Sequence, residues 1–584
     1  MSMTTETLKA NLKEPAIFCC RRRRGTVISA ADLEDPSLFD DMAEAGLLTL
    51  SGDALTVEEA LGATLLADCE ALAPILPSMV EGARKTEKEK AERPAPMETG
   101  EPAGTLFAKG ASGMMHIEIK SLEGLSLDLP WPGLFPSEAV AAAAPAALSA
   151  AVPSAAQGEG KTLRTLTKKY FQVADVVIGE KTSFENGVLT LDRGLLEKAL
   201  QADPLVKEIK MDVIKPADRH IYTDTIMDVC PIAAKVSGTL GEGVTHVMEG
   251  AVFMLTGVDE DGTQVHEFGS SEGYLDEKMA FGNPGCADEN DIIIRVETVI
   301  QRHTGMERRG PLAAHKCEDV IIQAARDVLK TANQAPLREE ICRDVKKYGR
   351  PRVVLVKEIM GQGAMHDNIL CPNEPCGVTG GQKNVDLGNV PVMLSPNEVL
   401  DGGIHALTCI GPSTKEMTRH YFREPLVRAL AADEELNLLG VVFVGSPQVN
   451  DEKTFVSERL GAWMEALGAE GAIVTTEGFG NNHIDFISHI EQIGKRGIPV
   501  VGVSFCAYQG QLVVGNRYAD AMIELNKDQK GFENEVAGCS EICPKDALRA
   551  VQMLKNKMMG VEIKPAPKKW SQQVVDGNNL LLGL

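Results

Sequence analysis

The sequence predicts an α/β protein: a strand-rich mixed domain followed by a doubly wound parallel-sheet domain, with a small helical amino-terminal unit and low-complexity linkers ahead of them. Three observations predict it. From residue 438 onward, short continuous apolar runs alternate with amphipathic stretches in the order strand, helix, strand, helix, strand, the pattern of a parallel sheet flanked by helices. Residues 162–302 carry β-branched runs between Gly and Asp turns, which read as strands. Two stretches, 84–104 and 137–160, are biased in composition and read as connectors.

In chain order, residues 1–83 form the amino-terminal unit. Its TVISAADLEDPSLFDDMAEAGLL stretch offers Asp32 or Asp35 as caps, with Leu38, Met42 and Leu47 near helical spacing. Residues 84–160 are linkers around a short hairpin, MMHIEIKSLEGLSLDLP, with Ile117, Ile119 and Leu122 among its apolar positions. Residues 161–408 are the strand-rich domain, from QVADVVIGE through THVMEGAVFMLTGVDEDG to DIIIRVETVI, then a helix over 313–332 and a strand at RVVLVKEIM. Residues 409–584 hold LLGVVFVG, AEGAIVTTEG and IPVVGVSF as strands, with EKTFVSERLGAWMEALG and HIDFISHIEQIGKRG as helices between them. Ligands of such sheets sit beyond the carboxyl ends of the strands, here Gly445 to Asn450, Thr475 to Asn482 and Ser504 to Gln509.

The charge balance narrows the partners. Lys plus Arg number 59 against 83 Asp plus Glu, a net charge of -24, which disfavours nucleic acid and anionic membrane surfaces. The basic run Arg21 to Arg24 reads as a solvated loop. The first residues lack a signal-type apolar core, and the Ala141 to Ala151 run, broken by Pro145, is no membrane span. Thirteen cysteines, an odd number, are expected to be reduced. The expectation is a soluble cytoplasmic protein.

The chemistry gathers in HALTCIGPSTKEMTRHYF, His405 to Phe422. A Cys409 thiolate can attack the carbonyl of Thr408 to give a thioester. Elimination then leaves dehydroalanine, and hydrolysis of the enamine leaves an amino terminus bearing a pyruvoyl carbonyl. Such a reaction needs a nucleophile, backbone freedom, a base and charge stabilisation. Gly402, Gly403 and Gly411 offer the freedom; His405 is a candidate base; Lys415, Arg419 or His420 could stabilise charge. The residues alone leave open an ordinary buried thiol in a strand.

Elsewhere, Cys371 with Cys376 and Cys539 with Cys543 could supply four thiolates to zinc or act as redox pairs, but their spacings are unlike the usual zinc pattern, so the expectation is reduced thiols and no metal. Cys19 and Cys20 beside the arginine run read as part of a terminal segment. GEGVTHVMEG lacks the rest of a dinucleotide fingerprint. TEGFGNNHID, at a strand's carboxyl end, makes Glu477 and His483 candidates for acid–base work and Asn481 a pocket or cap residue. Cys506 at the next strand end could face the same cleft.

HALTCIGPSTKEMTRHYFREPLV resembles the processing site of the D-proline reductase proproteins, pyruvoyl-forming components of the clostridial-type amino-acid reductases. GTVISAADLEDPSLFDDMAEAGLL, CPIAAKVSGTLGEGVTHVMEGAVFMLTGVDE and GFGNNHIDF are similar to other parts of that family, so the likeness covers nearly the whole chain outside the linkers. It implies cleavage of Thr408–Cys409 into pieces 1–408 and 409–584, with a pyruvoyl group derived from Cys409 as covalent cofactor. It also implies a selenoprotein partner subunit, an electron-donating redox protein or dithiol, and an oligomeric complex. The mechanism the resemblance implies is that the amine of D-proline condenses with the pyruvoyl ketone, a selenolate on the partner opens the ring, and a thiol releases 5-aminovalerate. No selenocysteine occurs in this chain. The substrate carboxylate needs a cation, and Arg419 and Arg423 lie nearest in sequence. Sarcosine, betaine and glycine reductase proproteins usually place Asn before the Cys and have a shorter amino-terminal part, so Thr408 and residues 1–160 favour the proline branch. A component for another amine, or a non-catalytic scaffold paralogue, are the alternatives; the presence of Cys409 argues against the second.

Overall fold

The computed structural model of the chain describes residues 8–9, 11–18, 22–33, 54–67, 69, 75–83, the backbone of 114–119 and 125–130, and 160–563. Within the last range it leaves out 266–269, 306–307, 360, 363–364, 367, 372–373, 378–384, 387, 408–415, 448–449, 477, 479–480, 506–513 and 528–534. Residues 86–156 form a unit of their own, and residues 1–85 and 157–584 form the other. In the smaller unit the expected hairpin is present: Met114–Ile119 pairs antiparallel with Leu125–Pro130, Ile117 opposite Leu127.

The described part of residues 1–83 holds a single-turn α-helix, Val57–Ala60, capped by Thr56, two 3-10 turns, Ala30–Asp32 and Pro77–Met79, and a two-stranded pair, Thr64–Leu65 with Val80–Glu81. Residues 34–50, where the helical spacing was read, lie outside the described residues. Loop-to-loop bonds tie the described segments together: Ala16 N–H to Leu55 O, Leu55 N–H to Ile75 O and Ile75 N–H to Ala16 O. They enclose a small core of Phe18, Ile28, Leu33, Leu65 and Ile75.

The strand-rich expectation for 162–302 holds. One four-stranded mixed sheet runs in the order Ile226–Cys230, Ala251–Asp259, Ile292–Ile300, Val206–Ile214. A second runs Ala233–Ser237, Gly243–Glu249, Lys161–Gln172, Arg338–Lys346. The helix Arg309–Lys330 lays Ala313, Ala314, Cys317, Ile321, Ala325 and Leu329 against the core these strands share. That is the stripe expected of a half-buried helix.

The third sheet has six strands in the order Val392–Leu394, Asn437–Gly445, Arg352–Ile359, Gly471–Thr476, Val500–Ser504, Met522–Glu524. All pair parallel except the antiparallel edge Val392–Leu394. Its strands are continuous apolar runs because both faces are covered. Alternate side chains divide between two cores: Val353, Leu355, Val441, Phe443 and Val501 point to one, and Val354, Val356, Val442, Val444 and Val500 to the other. The period of two is the strand's own. Helices Pro425–Ala432 and Pro544–Met558 cover the first face, and Asn450–Leu467 and Asn481–Gly494 the second.

The arrangement corrects the boundary drawn at residue 409. The strand Arg352–Ile359 lies inside this sheet, between Asn437–Gly445 and Gly471–Thr476, although it precedes Cys409 in sequence. Its apolar run is the same on both sides, so only pairing, which sequence does not display, reveals that the sheet crosses the boundary. Strand order also reverses about it, so its carboxyl end, where Lys357 and Glu358 interrupt the apolar run, is where such sheets take their ligands.

Candidate functional site

Residues 408–415, with Thr408, Cys409, Gly411 and Lys415, lie outside the described residues, but both ends of the segment are fixed. The strand Ile404–Ala406 enters it by pairing antiparallel with Asn368–Leu370, and the helix Thr418–Arg423 leaves it. Thr418 Oγ1 accepts the Ala406 N–H at 2.9 Å and donates to Asp228 Oδ2 at 2.6 Å, while the Thr418 N–H donates to Asp228 Oδ1 at 2.9 Å. All three residues are buried. The chain entering and the chain leaving are thus tied at one carboxylate on the strand Ile226–Cys230. Gly402 and Gly403 serve packing before this strand: a Cβ on Gly402 would come to 2.8 Å from Cys376 Sγ, and one on Gly403 to 2.6 Å from Glu398 O.

Two imidazoles face the same carboxylate. His405 Nε2 lies 3.9 Å and His315 Nε2 3.6 Å from Asp228 Oδ2, with the rings edge to face at 4.9 Å. Their Nδ1 atoms lie 2.8 Å from Cys376 O and 2.7 Å from Pro311 O. A carbonyl can only accept, so each Nδ1 carries a proton and each ring turns its Nε2 inward. Burial and the neighbouring His315 hold the His405 pKa down to about 4, so His405 is neutral at neutral pH. Cys230 Sγ sits 3.1 Å from Asp228 Oδ2.

A second buried group begins at Glu416. Glu416, His420 and Glu424 recur every four residues and so share one side of the chain. Lys357 Nζ donates to Glu416 at 2.8 Å and to Glu424 at 2.9 Å. His420 Nε2 lies 3.4 Å from Glu416 and 3.3 Å from Glu424, and its Nδ1 lies 2.7 Å from Glu541 Oε2. Burial works against charge on His420, but Glu416, Glu424 and Glu541 outweigh it and raise its pKa to about 10. Burial likewise opposes the Glu424 carboxylate, and Lys357 and His420 outweigh it, lowering its pKa to about 2. Glu424 also ends the helix: Pro425 follows, which disfavours helical backbone at the preceding residue, and Glu424 Oε1 accepts the Leu426 N–H at 3.0 Å.

Arg419 and Arg423, again four apart, turn to another side. Arg419 bonds Cys286 O at 2.7 Å and meets Asp291 at 2.7 Å and Asp288 at 3.0 Å. Arg423 grips both oxygens of Asp288, at 2.9 and 2.6 Å. Both arginines line a cavity of about 640 Å³ together with Tyr170, Arg338, Phe422 and Arg428. The cavity wall carries four guanidinium groups, and Arg423 remains one-third exposed.

Of the remaining residues singled out in the sequence, Asn481 and His483 follow the strand Gly471–Thr476 of the six-stranded sheet. Glu477 and Cys506 are outside the described residues, and Asn481 opens the helix Asn481–Gly494. His483 Nε2 lies 2.9 Å from Ser504 Oγ, and burial lowers the His483 pKa to about 4. Burial pushes the Cys376 thiol up to about 12 and the Cys371 thiol well above its usual value, which suits packed thiols rather than reactive ones. Sequence reasoning missed Asp228, Cys230, His315, Glu416, Thr418, Glu424, Lys357 and Glu541. Asp228 and Cys230 left a trace, an acid and a thiol two residues apart and so on one side of a strand, and Glu416 and Glu424 another, four residues to either side of His420.

The chain belongs to the family of glycine/sarcosine/betaine reductase component B subunits, whose model matches residues 164–523. It is 48% identical over 594 aligned positions to the D-proline reductase proprotein PrdA of Acetoanaerobium sticklandii, covering 99% of this chain and 94% of that one. It is 26% identical over 372 residues to the glycine reductase complex component B subunits alpha and beta of the same organism, covering 60% of this chain and 80% of that one. The sarcosine reductase complex component B subunit alpha of Peptoclostridium acidaminophilum is 26% identical over 353 residues, covering 56% of this chain and 76% of that one. No solved structure matches the chain. Among the described residues no helix is long and apolar enough to cross a membrane.

Proposed function

We propose that the chain is the precursor of the pyruvoyl component of a D-proline reductase. The observation that carries this reading is the 48% identity to a D-proline reductase proprotein along 99% of the chain, together with Thr408–Cys409 in the processing motif. The clasp of Ala406 and Thr418 at Asp228 supports it, because it holds both ends of the reacting segment in one place, which lowers the entropy cost of any reaction within the loop.

The Cys409 sulfur adds to the Thr408 carbonyl carbon and the peptide C–N bond breaks, giving a thioester and a free α-amino group on residue 409. Loss of the residue 409 α-proton and cleavage of its Cβ–S bond leave dehydroalanine and a thiocarboxylate on Thr408. Water then releases ammonia from the first and hydrogen sulfide from the second. His405, four residues before Cys409, accepts a proton in this scheme. The resulting carbonyl supplies an electron sink for the substrate's secondary amine. Arg423, with Arg419 behind it, offers the substrate carboxylate a guanidinium in the 640 Å³ cavity. The selenolate, the electron donor and the complex come from partners, and the compartment is the cytoplasm.

A sarcosine, betaine or glycine substrate is the second reading, favoured by the family model and by the relatives at 26% identity. Expression of the chain beside Cys409→Ala tests the first. Two bands on a reducing denaturing gel are expected for the first protein and one for the variant, with the smaller piece labelled by a carbonyl reagent such as phenylhydrazine. A single full-length band from both, with the selenoprotein partner present, would end the reading. Product analysis with each amine in turn separates the substrates, 5-aminovalerate from D-proline being the expected one.

A further inference from the structure

Three elements far apart in sequence converge on Asp228. The strand Ile226–Cys230 places Asp228 and Cys230 on one side, the strand Ile404–Ala406 brings His405, and the helix Arg309–Lys330 brings His315. Asp228, Cys230, His315 and His405 are each 0% or 1% exposed. We propose that Asp228 Oδ2, Cys230 Sγ and His405 Nε2 bind a divalent transition metal, zinc by its ligand set, with His315 Nε2 as the fourth ligand.

The spacing fits. The carboxylate oxygen, the thiol sulfur and the His405 nitrogen lie within 4.8 Å of one another, and Asp228 Oδ2 is 3.1 Å from Cys230 Sγ, 3.6 Å from His315 Nε2 and 3.9 Å from His405 Nε2. Ligands bound at about 2.0–2.3 Å around a tetrahedral centre lie roughly 3.3–3.7 Å from each other. Small side-chain shifts would bring Asp228, Cys230 and His405 onto one ion; His315, 3.6 Å from the carboxylate but outside that mutually close trio, joins by a larger movement of its ring.

The hydrogen bonds fit as well. Both histidines give their Nδ1 protons to backbone carbonyls, the outer contact that metal-ligating histidines make. Both Nε2 atoms are buried and have no hydrogen-bond partner. Two bare imidazole nitrogens turned toward a carboxylate repel it unless something positive lies between them. One carboxylate, one thiolate and two imidazoles form a borderline-soft set suited to zinc. Binding replaces the Cys230 thiol proton, which leaves to solvent, and forms the metal–sulfur bond. The cysteine pairs marked by sequence spacing, Cys371 with Cys376 and Cys539 with Cys543, are not part of this set.

The inference stands on geometry and is independent of cleavage at Cys409. The two meet at one point: a metal occupies the His405 electron pair, so His405 takes up protons only in the metal-free chain.

The test uses the full chain purified under reducing conditions without chelator, incubated with zinc and dialysed. Elemental analysis should find about one zinc per chain, retained in Cys409→Ala and in Cys543→Ser. Affinity should fall about tenfold to a hundredfold in His315→Gln and more in Cys230→Ser. Cobalt(II) in place of zinc should give a thiolate charge-transfer band that Cys230→Ser lacks. If the variants fail to fold, the unmodified chain decides: a strong chelator should lower its thermal midpoint and zinc should restore it. A folded chain that retains no zinc after dialysis, or zinc undiminished in both variants, or a midpoint unmoved by chelator, overturns the site. Retained zinc in Cys409→Ala keeps the result separate from the fate of the cleavage reading.

Discussion

The Thr418 hydroxyl donates to Asp228 Oδ2 at 2.6 Å while accepting the Ala406 N–H, so a single side chain closes the loop that contains Cys409. Thr418→Val keeps the shape and removes the hydroxyl. It leaves a buried N–H and a buried carboxylate each short of a partner, at about 1–3 kcal/mol. Denaturant unfolding in a Cys409→Ala background, which keeps one chain, should show this loss. The same change in the Cys409 chain should slow appearance of the two bands. Unchanged stability and unchanged cleavage together would remove the clasp from the account.

The network around Lys357 should give the fold a definite pH window. His420 has its pKa raised from 6.5 to about 10, so its contribution is full below pH 6.5 and is lost as pH rises through about 10. Glu424 has its pKa lowered from 4.5 to about 2, so its contribution is full above pH 4.5 and is lost as pH falls toward 2. Both operate fully between pH 4.5 and 6.5. Urea unfolding of the chain and of His420→Gln should differ most inside that window and converge near pH 10. A gap between them that stays constant across the alkaline range would show that His420 is not charged in the fold.

Lys357 shows why part of this was legible and part was not. The apolar runs that make the six-stranded sheet stand out in sequence, because continuous Val and Ile reflect burial of both strand faces. Lys357 breaks the run Val353 to Val356, yet sequence cannot say that Glu416 and Glu424, about sixty residues on, neutralise it. The spacing of four among Glu416, His420 and Glu424 was visible; its buried partners were not. His315 sits on the core side of a helix, where an isolated histidine reads as packing. Its convergence with Asp228 and His405 depends on strand pairing and helix placement that no local sequence pattern displays.

Arg423 should matter for substrate more than for folding. Its guanidinium is one-third exposed at the 640 Å³ cavity and held in place by both oxygens of Asp288. Arg423→Gln removes a charge that a substrate carboxylate can use, so KM for D-proline should rise about tenfold to a hundredfold. Asp288→Asn should give a smaller rise, since it loosens the guanidinium without removing it. A KM that stays within twofold in Arg423→Gln would move the carboxylate site elsewhere.

Cleavage at residue 409 should leave one folded body, not two. The strand Arg352–Ile359 belongs to the larger piece and is paired along both edges by strands of the smaller, Asn437–Gly445 and Gly471–Thr476. Val353, Val354, Leu355 and Val356 are fully buried between helices on both faces. Exposing each costs about 1.5–3 kcal/mol, before the loss of two ladders of hydrogen bonds. Cutting a loop bond removes none of these contacts. The matured protein should therefore elute as one species in native size-exclusion chromatography, show two bands only on a denaturing gel, and release the smaller piece only in denaturant. A protease site introduced within 408–415 of Cys409→Ala should give the same nicked, joined product. Separate elution of the two pieces in native buffer would mean that this strand does not hold the sheet together.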